Sequence, residues 1–200
     1  MIKTVFLDMG NVLVLFSHER MCAQIATLCA RPTAAVQSAL IESGLQHEFE
    51  LGRVNEVEFG NRLGSALQTT FDRDQLRQAS SDIFELNVPL LALLDQVQQN
   101  ATRLVLLSNT SIAHFEFIRD RFDVLDRFDD FVLSFQVGAL KPHSQIFKAA
   151  LELAECPAEE CFFTDDLREN VEQARRMGMV SEVFTSPVAF EQQMRKLSLV

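Results

Sequence analysis

The sequence predicts an α/β fold: a Rossmann-like parallel sheet with helices on both faces, carrying a small α-helical unit inserted after the first strand. Three observations lead there. Several short apolar runs lie between turn signals, and such runs read as buried strands. From Pro89 onward these runs alternate with stretches of helical spacing, the βαβ pattern of a parallel sheet with right-handed crossovers. Between residues 17 and 86 the strand-like runs disappear, and apolar residues recur at three and four position intervals instead.

Taken in order, Val5-Phe6-Leu7 forms the first strand and ends at Asp8. In the middle section, Thr33 to Ser43 and Glu56 to Leu67 carry the helical spacing, punctuated by Gly44, Gly52 and Gly64. A helix then runs from Pro89 to about Gln99, followed by a strand over 103–108 built on Leu104-Val105-Leu106-Leu107. Helix 111–121, strand 131–134, helix 143–154 and strand 160–164 continue the alternation. Helix 168–177, a short strand near 182–184 and a last helix from Pro187 complete it.

The composition narrows the function. Two hundred residues suffice for one sizeable domain, or a core with a smaller appendage. A net charge of -10 without any Lys/Arg cluster argues against nucleic acid and against anionic membranes as partners. No apolar stretch approaches the roughly 20 residues that span a bilayer, and Asp8 interrupts the one candidate signal-peptide core, so the expected location is cytoplasmic. Cys22 with Cys29, and Cys156 with Cys161, lack the Cys-x-x-Cys spacing of a zinc site and are expected to be inert thiols. Nothing in the sequence points to a particular oligomeric state.

In open α/β sheets, ligands bind outside the carboxyl ends of the strands. Asp8, Ser108, Lys141 and the Asp165-Asp166 pair each stand at or just beyond such an end, so they are expected to share one cleft. Each also has a purely structural reading. Asp8 followed by Gly10 suits a nucleophile or metal ligand beside a closely approaching backbone, but also a loop cap. Ser108-Asn109-Thr110 before a helix looks like an N-cap, and Lys141-Pro142 opens the helix that begins near His143, where a lysine is commonly solvated. Asp165-Asp166, with Asn170 close behind, is the strongest element. Adjacent carboxylates at a buried strand end repel one another unless a cation or lysine neutralises them, and magnesium suits one or two carboxylates, a carbonyl and waters.

Together, the segments Phe6-Leu7-Asp8-Met9-Gly10-Asn11-Val12, Leu106-Leu107-Ser108-Asn109-Thr110, Val137-Gly138-Ala139-Leu140-Lys141-Pro142 and Phe163-Thr164-Asp165-Asp166 resemble the four motifs of the haloacid dehalogenase-like hydrolase superfamily. Their phrasing is most similar to the branch holding the phosphatase domain of epoxide hydrolases and bacterial sugar-phosphate phosphatases. The resemblance implies a core of residues 1–14 and 87–200 with a helical cap over 15–86. It implies that Asp8 attacks phosphorus, forming an aspartyl-phosphate, and that Asp8, the Gly10 carbonyl and Asp166 hold magnesium. Ser108 and the Asn109 backbone would bind phosphoryl oxygens, Lys141 would bridge them to Asp8, and Asp165 would orient Lys141 or a metal-bound water. The substrate would be a small phosphorylated metabolite, a class that includes sugar phosphates.

One departure stands out. Most phosphatases of this superfamily carry a second Asp two positions after the nucleophile, as acid and base, and here that position is Gly10. His18 and His47 are candidates for the missing proton transfer, and Phe16, His18, Arg20, His47 and Arg53 for substrate contacts. Two other readings use part of the pattern: a phosphate-metabolite binding protein with little or no turnover, motivated by Gly10, and a haloacid dehalogenase, for which the acidic pair is superfluous.

Overall fold

The computed structural model describes residues 1–100 and 102–200. Along the chain, β1 (Thr4–Leu7) is followed by a two-residue strand β2 (Val14–Leu15) and five helices. These are α1 (His18–Cys29), α2 (Thr33–Gln37), α3 (Leu45–Glu50), α4 (Glu56–Leu67) and α5 (Arg73–Ser81). A second two-residue strand, β3 (Glu85–Leu86), precedes α6 (Val88–Gln99), β4 (Arg103–Ser108), α7 (Ile112–Arg121) and β5 (Asp130–Leu133). Then come α8 (Ser134–Val137), α9 (Ser144–Leu153), β6 (Cys161–Asp165), α10 (Arg168–Arg176), β7 (Val180–Val183) and α11 (Pro187–Lys196). Among the described residues no helix is long and apolar enough to cross a membrane.

The main sheet has the order β5-β4-β1-β6-β7, with every neighbouring pair parallel. Because side chains alternate across a strand, a sheet covered on both sides needs apolar residues at every position of its central strands. That is what β1, β4 and β6 supply. Val5, Leu7, Leu104, Leu106 and Phe162 face one core, which runs on into the helical insertion through Met21, Ile25 and Leu63. Phe6, Val105, Leu107 and Phe163 face the other, against Ile146, Phe147 and Val171. Burying a side chain of this size contributes roughly 1.5–3 kcal/mol, so neither face can be exposed cheaply.

The helix starts are chemically marked. Ser17, Asn55, Asp72 and Ser111 each accept a backbone N–H from the first turn of α1, α4, α5 and α7. Since Ser111 is the cap of α7, the Ser108-Asn109-Thr110 triplet is not spent on capping.

Several expectations need correction. The insertion is not purely helical at its ends: β2 and β3 pair antiparallel, Val14 with Leu86 and Leu15 with Glu85, forming a stem. Asn87 fastens that stem, its N–H on Leu13 O at 2.9 Å and its Nδ2 on Val12 O at 2.7 Å. A two-residue ladder carries too little periodicity to be seen in sequence. The helix expected over Thr33 to Ser43 divides into α2 and a π-helical turn at Ser38–Glu42. The last strand is Val180–Val183 rather than 182–184. Pro142 precedes α9 instead of opening it, in a cis peptide with Lys141.

Candidate active site

The carboxyl ends of β1, β4 and β6 meet beside one another because β1 is hydrogen-bonded to both its neighbours. Lys141, arriving from the loop before α9, enters beneath this junction. Its side chain is 1% exposed, and its Nζ donates to Asp8 Oδ1, Leu107 O and Asp165 Oδ2, each at 2.7 Å. An ammonium has three protons, and all three are used. Burial alone would lower the Lys141 pKa, but Asp165 and Asp8 outweigh it and hold the amine above its ordinary value.

Asp165 is fully buried and saturated. Its Oδ1 accepts the Leu167 N–H at 2.8 Å, Asn170 Nδ2 donates to both oxygens at 3.0 Å, and Lys141 takes the remaining direction. It therefore fixes the lysine. Asn109 fixes the same loop through its side chain, accepting the Lys141 N–H at 2.7 Å and donating to Lys141 O at 3.0 Å. Ser108 Oγ has only a 3.4 Å contact to Asn109 O, so its proton is free to turn elsewhere.

Asp8 and Asp166 face the cleft. Burial raises the Asp8 pKa to about 7, with the Lys141 ammonium opposing and the Asp165 carboxylate adding to the rise. One carboxylate oxygen from each of Asp8, Asp165 and Asp166 lies within 4.8 Å of the others, and Asn11 Nδ2 donates to Asp166 Oδ2 at 3.1 Å. Since Asp165 is saturated, Asp8 and Asp166 are the carboxylates of this group that could hold a metal ion, and Gly10 lines the same cleft. Asn170 adds a test of fit: it is among the residues lining the cleft, and its Oδ1 is a buried acceptor without a partner. An all-oxygen set of this kind suits a hard divalent ion such as magnesium.

The cleft measures about 260 Å³ and is also lined by Phe16, His18, Glu50, Phe84 and His114. His18 lies edge-on to Phe16, their ring centroids 5.0 Å apart, and Phe84 lies edge-on to His114 at 5.2 Å. His114 Nε2 is 3.1 Å from Ser80 O, which requires the proton on that nitrogen, and burial lowers its pKa to about 4.

The family model for haloacid dehalogenase-like hydrolases matches residues 2–178. The chain belongs to this family. This hydrolase is 25% identical over 186 residues to a D-ribitol-5-phosphate phosphatase of Bacteroides thetaiotaomicron, covering 89% of each chain. It is 29% identical over 188 residues to a drimenol cyclase of Aspergillus calidoustus, covering 92% of its own length but only 34% of that protein's. Its fold matches a HAD family enzyme of Bacteroides thetaiotaomicron, solved with magnesium and inorganic phosphate, with a TM-score of 0.83, 24% identity and coverage of 93% and 96%.

In this hydrolase, Asp8, Gly10, Asn109, Lys141 and Asp166 line the cleft, while Ser108 and Asp165 are buried behind them. Of the expected substrate contacts, Phe16 and His18 also line it. Arg20 instead pairs with Glu85 at 3.3 Å and Arg53 with Glu48 at 2.8 Å. His47 and Arg53 border a neighbouring cavity of about 740 Å³, with Pro142, His143 and Arg176. Glu50, Phe84 and His114 escaped the sequence reading, since none sits at a strand end. Only Gly52 hinted at Glu50. It has φ +67°, and a Cβ there would lie 2.2 Å from Phe135 O, so α3 ends against the core backbone.

Proposed function

We propose that this hydrolase is a magnesium-dependent phosphomonoesterase acting on small phosphorylated metabolites through an aspartyl-phosphate on Asp8. The observation that carries this reading is Lys141 Nζ bonded at 2.7 Å to both Asp8 and Asp165, with Asp166 beside them. A buried ammonium aimed at a nucleophilic carboxylate favours its ionised form and leaves positive charge where phosphoryl oxygens arrive.

In this reading an Asp8 oxygen forms a bond to phosphorus as the ester oxygen departs, and water later cleaves the acyl-phosphate. Splitting the displacement in two replaces one difficult step by two easier ones. Ser108 Oγ and the Asn109 backbone receive phosphoryl oxygens, and Asp165 positions Lys141. Magnesium, held by Asp8, the Gly10 carbonyl and Asp166, would neutralise charge on phosphate so that an anionic nucleophile can approach. Residues 15–86 act as a cap that encloses the leaving group and excludes water.

The relative named for D-ribitol 5-phosphate supports a polyol or sugar phosphate, and a cavity of about 260 Å³ suits a leaving group of that size. The test is a screen of phosphorylated metabolites with magnesium, run on wild type and Asp8→Asn. Wild type should release phosphate and Asp8→Asn should not, although its circular dichroism is unchanged, because an amide cannot form the intermediate. Substantial turnover by a folded Asp8→Asn would remove Asp8 as nucleophile.

A further inference from the structure

A phosphate monoester with an alkyl leaving group needs a proton as the ester bond breaks, and the water that clears the intermediate must lose one. Residue 10 has no side chain to do either, and its space is taken. A Cβ on Gly10 would stand 2.8 Å from Phe16 Cε1 and 3.3 Å from Cδ1, so the Phe16 ring occupies the volume a longer side chain would enter. The proton carrier must come from elsewhere in the cleft wall.

Apart from Asp8, Lys141 and Asp166, the titratable groups lining the cleft are His18, His114 and Glu50. His114 is excluded, because its Nε2 proton is bound to Ser80 O and burial holds the ring neutral. His18 sits edge-on to Phe16, and burial lowers its pKa, which disfavours the protonated ring that a general acid needs.

Glu50 differs from both. It is the last residue of α3 and half-buried, and its Oε1 accepts Gln46 Nε2 at 2.8 Å. Among the described residues nothing bonds its Oε2. Its backbone is anchored to the catalytic wall, with Ser134 Oγ donating to Glu50 O at 2.7 Å and accepting the Thr110 N–H at 2.9 Å. Burial raises its pKa, against the opposing influence of Gln46 and His47, which favours a carboxyl group able to donate a proton.

We infer that Glu50 is the general acid and base of this hydrolase, contributed by the helical insertion to a cleft whose residue 10 cannot serve. The inference rests on the phosphatase reading above. As the bond from phosphorus to the ester oxygen breaks and the Asp8 bond forms, the Glu50 proton passes to the leaving oxygen. When water attacks phosphorus and the Asp8 bond breaks, a water proton returns to Glu50. The cycle therefore closes with no external acid.

The test compares wild type, Glu50→Gln and His18→Gln, all with magnesium, on an alkyl phosphate such as ribitol 5-phosphate and on 2,4-dinitrophenyl phosphate. The dinitrophenolate needs no proton to leave. Glu50→Gln should lower kcat/KM for the alkyl ester by about 10²- to 10⁴-fold. With the aryl ester it should keep its dinitrophenolate burst within a few-fold while the steady state slows. His18→Gln should show no such selectivity. Glu50→Asp, which keeps the carboxyl, should recover part of the alkyl activity and guards against a folding defect in the amide variant. Equal losses on both esters, no loss on either, or leaving-group selectivity in His18→Gln instead would overturn the assignment. A wild type that hydrolyses neither ester would refute the phosphatase reading itself, and the assignment with it.

Discussion

Gly10 and His114 show how single residues in this cleft are constrained by what surrounds them. Gly10 does not have the positive φ that would demand glycine; what a side chain there would meet is the Phe16 ring, 2.8 Å from an added Cβ. Gly10→Asp should therefore destabilise the protein by roughly 1–3 kcal/mol through overpacking. Adding Phe16→Ala should return part of that loss, a non-additivity visible in urea unfolding of the two single variants and the double. His114 is buried as the neutral ring, its pKa lowered from 6.5 to about 4. The unfolded chain thus binds a proton that the folded one refuses, so stability falls as pH drops from 6.5 towards 4, by as much as about 3 kcal/mol. Urea unfolding of His114→Gln at pH 7 and pH 4.5 should show a smaller acid loss than wild type. An identical loss in both would mean that His114 protonates freely in the folded state.

Among the elements, the helical insertion meets the core at places of different character, one of them α5 against α7, where His114 Nε2 bonds Ser80 O at 3.1 Å and Arg77 pairs with Glu116 at 2.7 Å. The β2–β3 stem is a two-residue ladder, strengthened by Asn87. A further contact is the seam where α3 ends in Glu50, anchored by Ser134, and Gly52 turns against Phe135 O. A Cβ at 2.2 Å from a carbonyl oxygen cannot be accommodated by a side-chain rotation, and at φ +67° it also carries the left-handed penalty of about 1–2 kcal/mol. Gly52→Ala should lower the melting temperature and, by moving Glu50 away from the cleft, reduce kcat more than it raises KM. Gly44→Ala makes the control, because that glycine also has a positive φ, +80°, but nothing lies within 4 Å of its Cβ position. If the two variants lose equal stability and activity, the seam plays no special part.

For the whole molecule, the proposed magnesium would be a folding ligand as well as a catalytic one. Asp8 and Asp166 lie close together in a chain of net charge -10, so the folded state carries repulsion that a divalent cation relieves. A ligand bound only by the folded state stabilises it by RT ln(1 + [L]/Kd), about 2.7 kcal/mol at a hundredfold excess over Kd. Magnesium should raise the melting temperature of the wild type, EDTA should reverse the shift and abolish phosphate release, and Asp166→Asn should lose most of the shift. A wild-type melting temperature indifferent to both additions would contradict the metal site.

Much of this architecture is present in local signals. Val5-Phe6-Leu7, Leu104 to Leu107 and Cys161 to Thr164 mark their strands because a sheet buried on both faces demands uninterrupted apolar runs. Asp8, Lys141 and Asp166 were legible for the related reason that polar residues ending such runs must converge where the strands do. Even the oddity at Gly10 was visible. What the sequence could not express is contact between residues distant along the chain. The β2–β3 ladder is too short to have a period, and the saturation of Asp165 depends on Lys141 and Asn170 arriving from other elements. The Phe16 ring against Gly10 and the Glu50 carboxyl in the cleft wall likewise exist only once the insertion is packed on the core. Periodicity records which face of an element is buried, whereas the partner it meets there is a property of the folded chain.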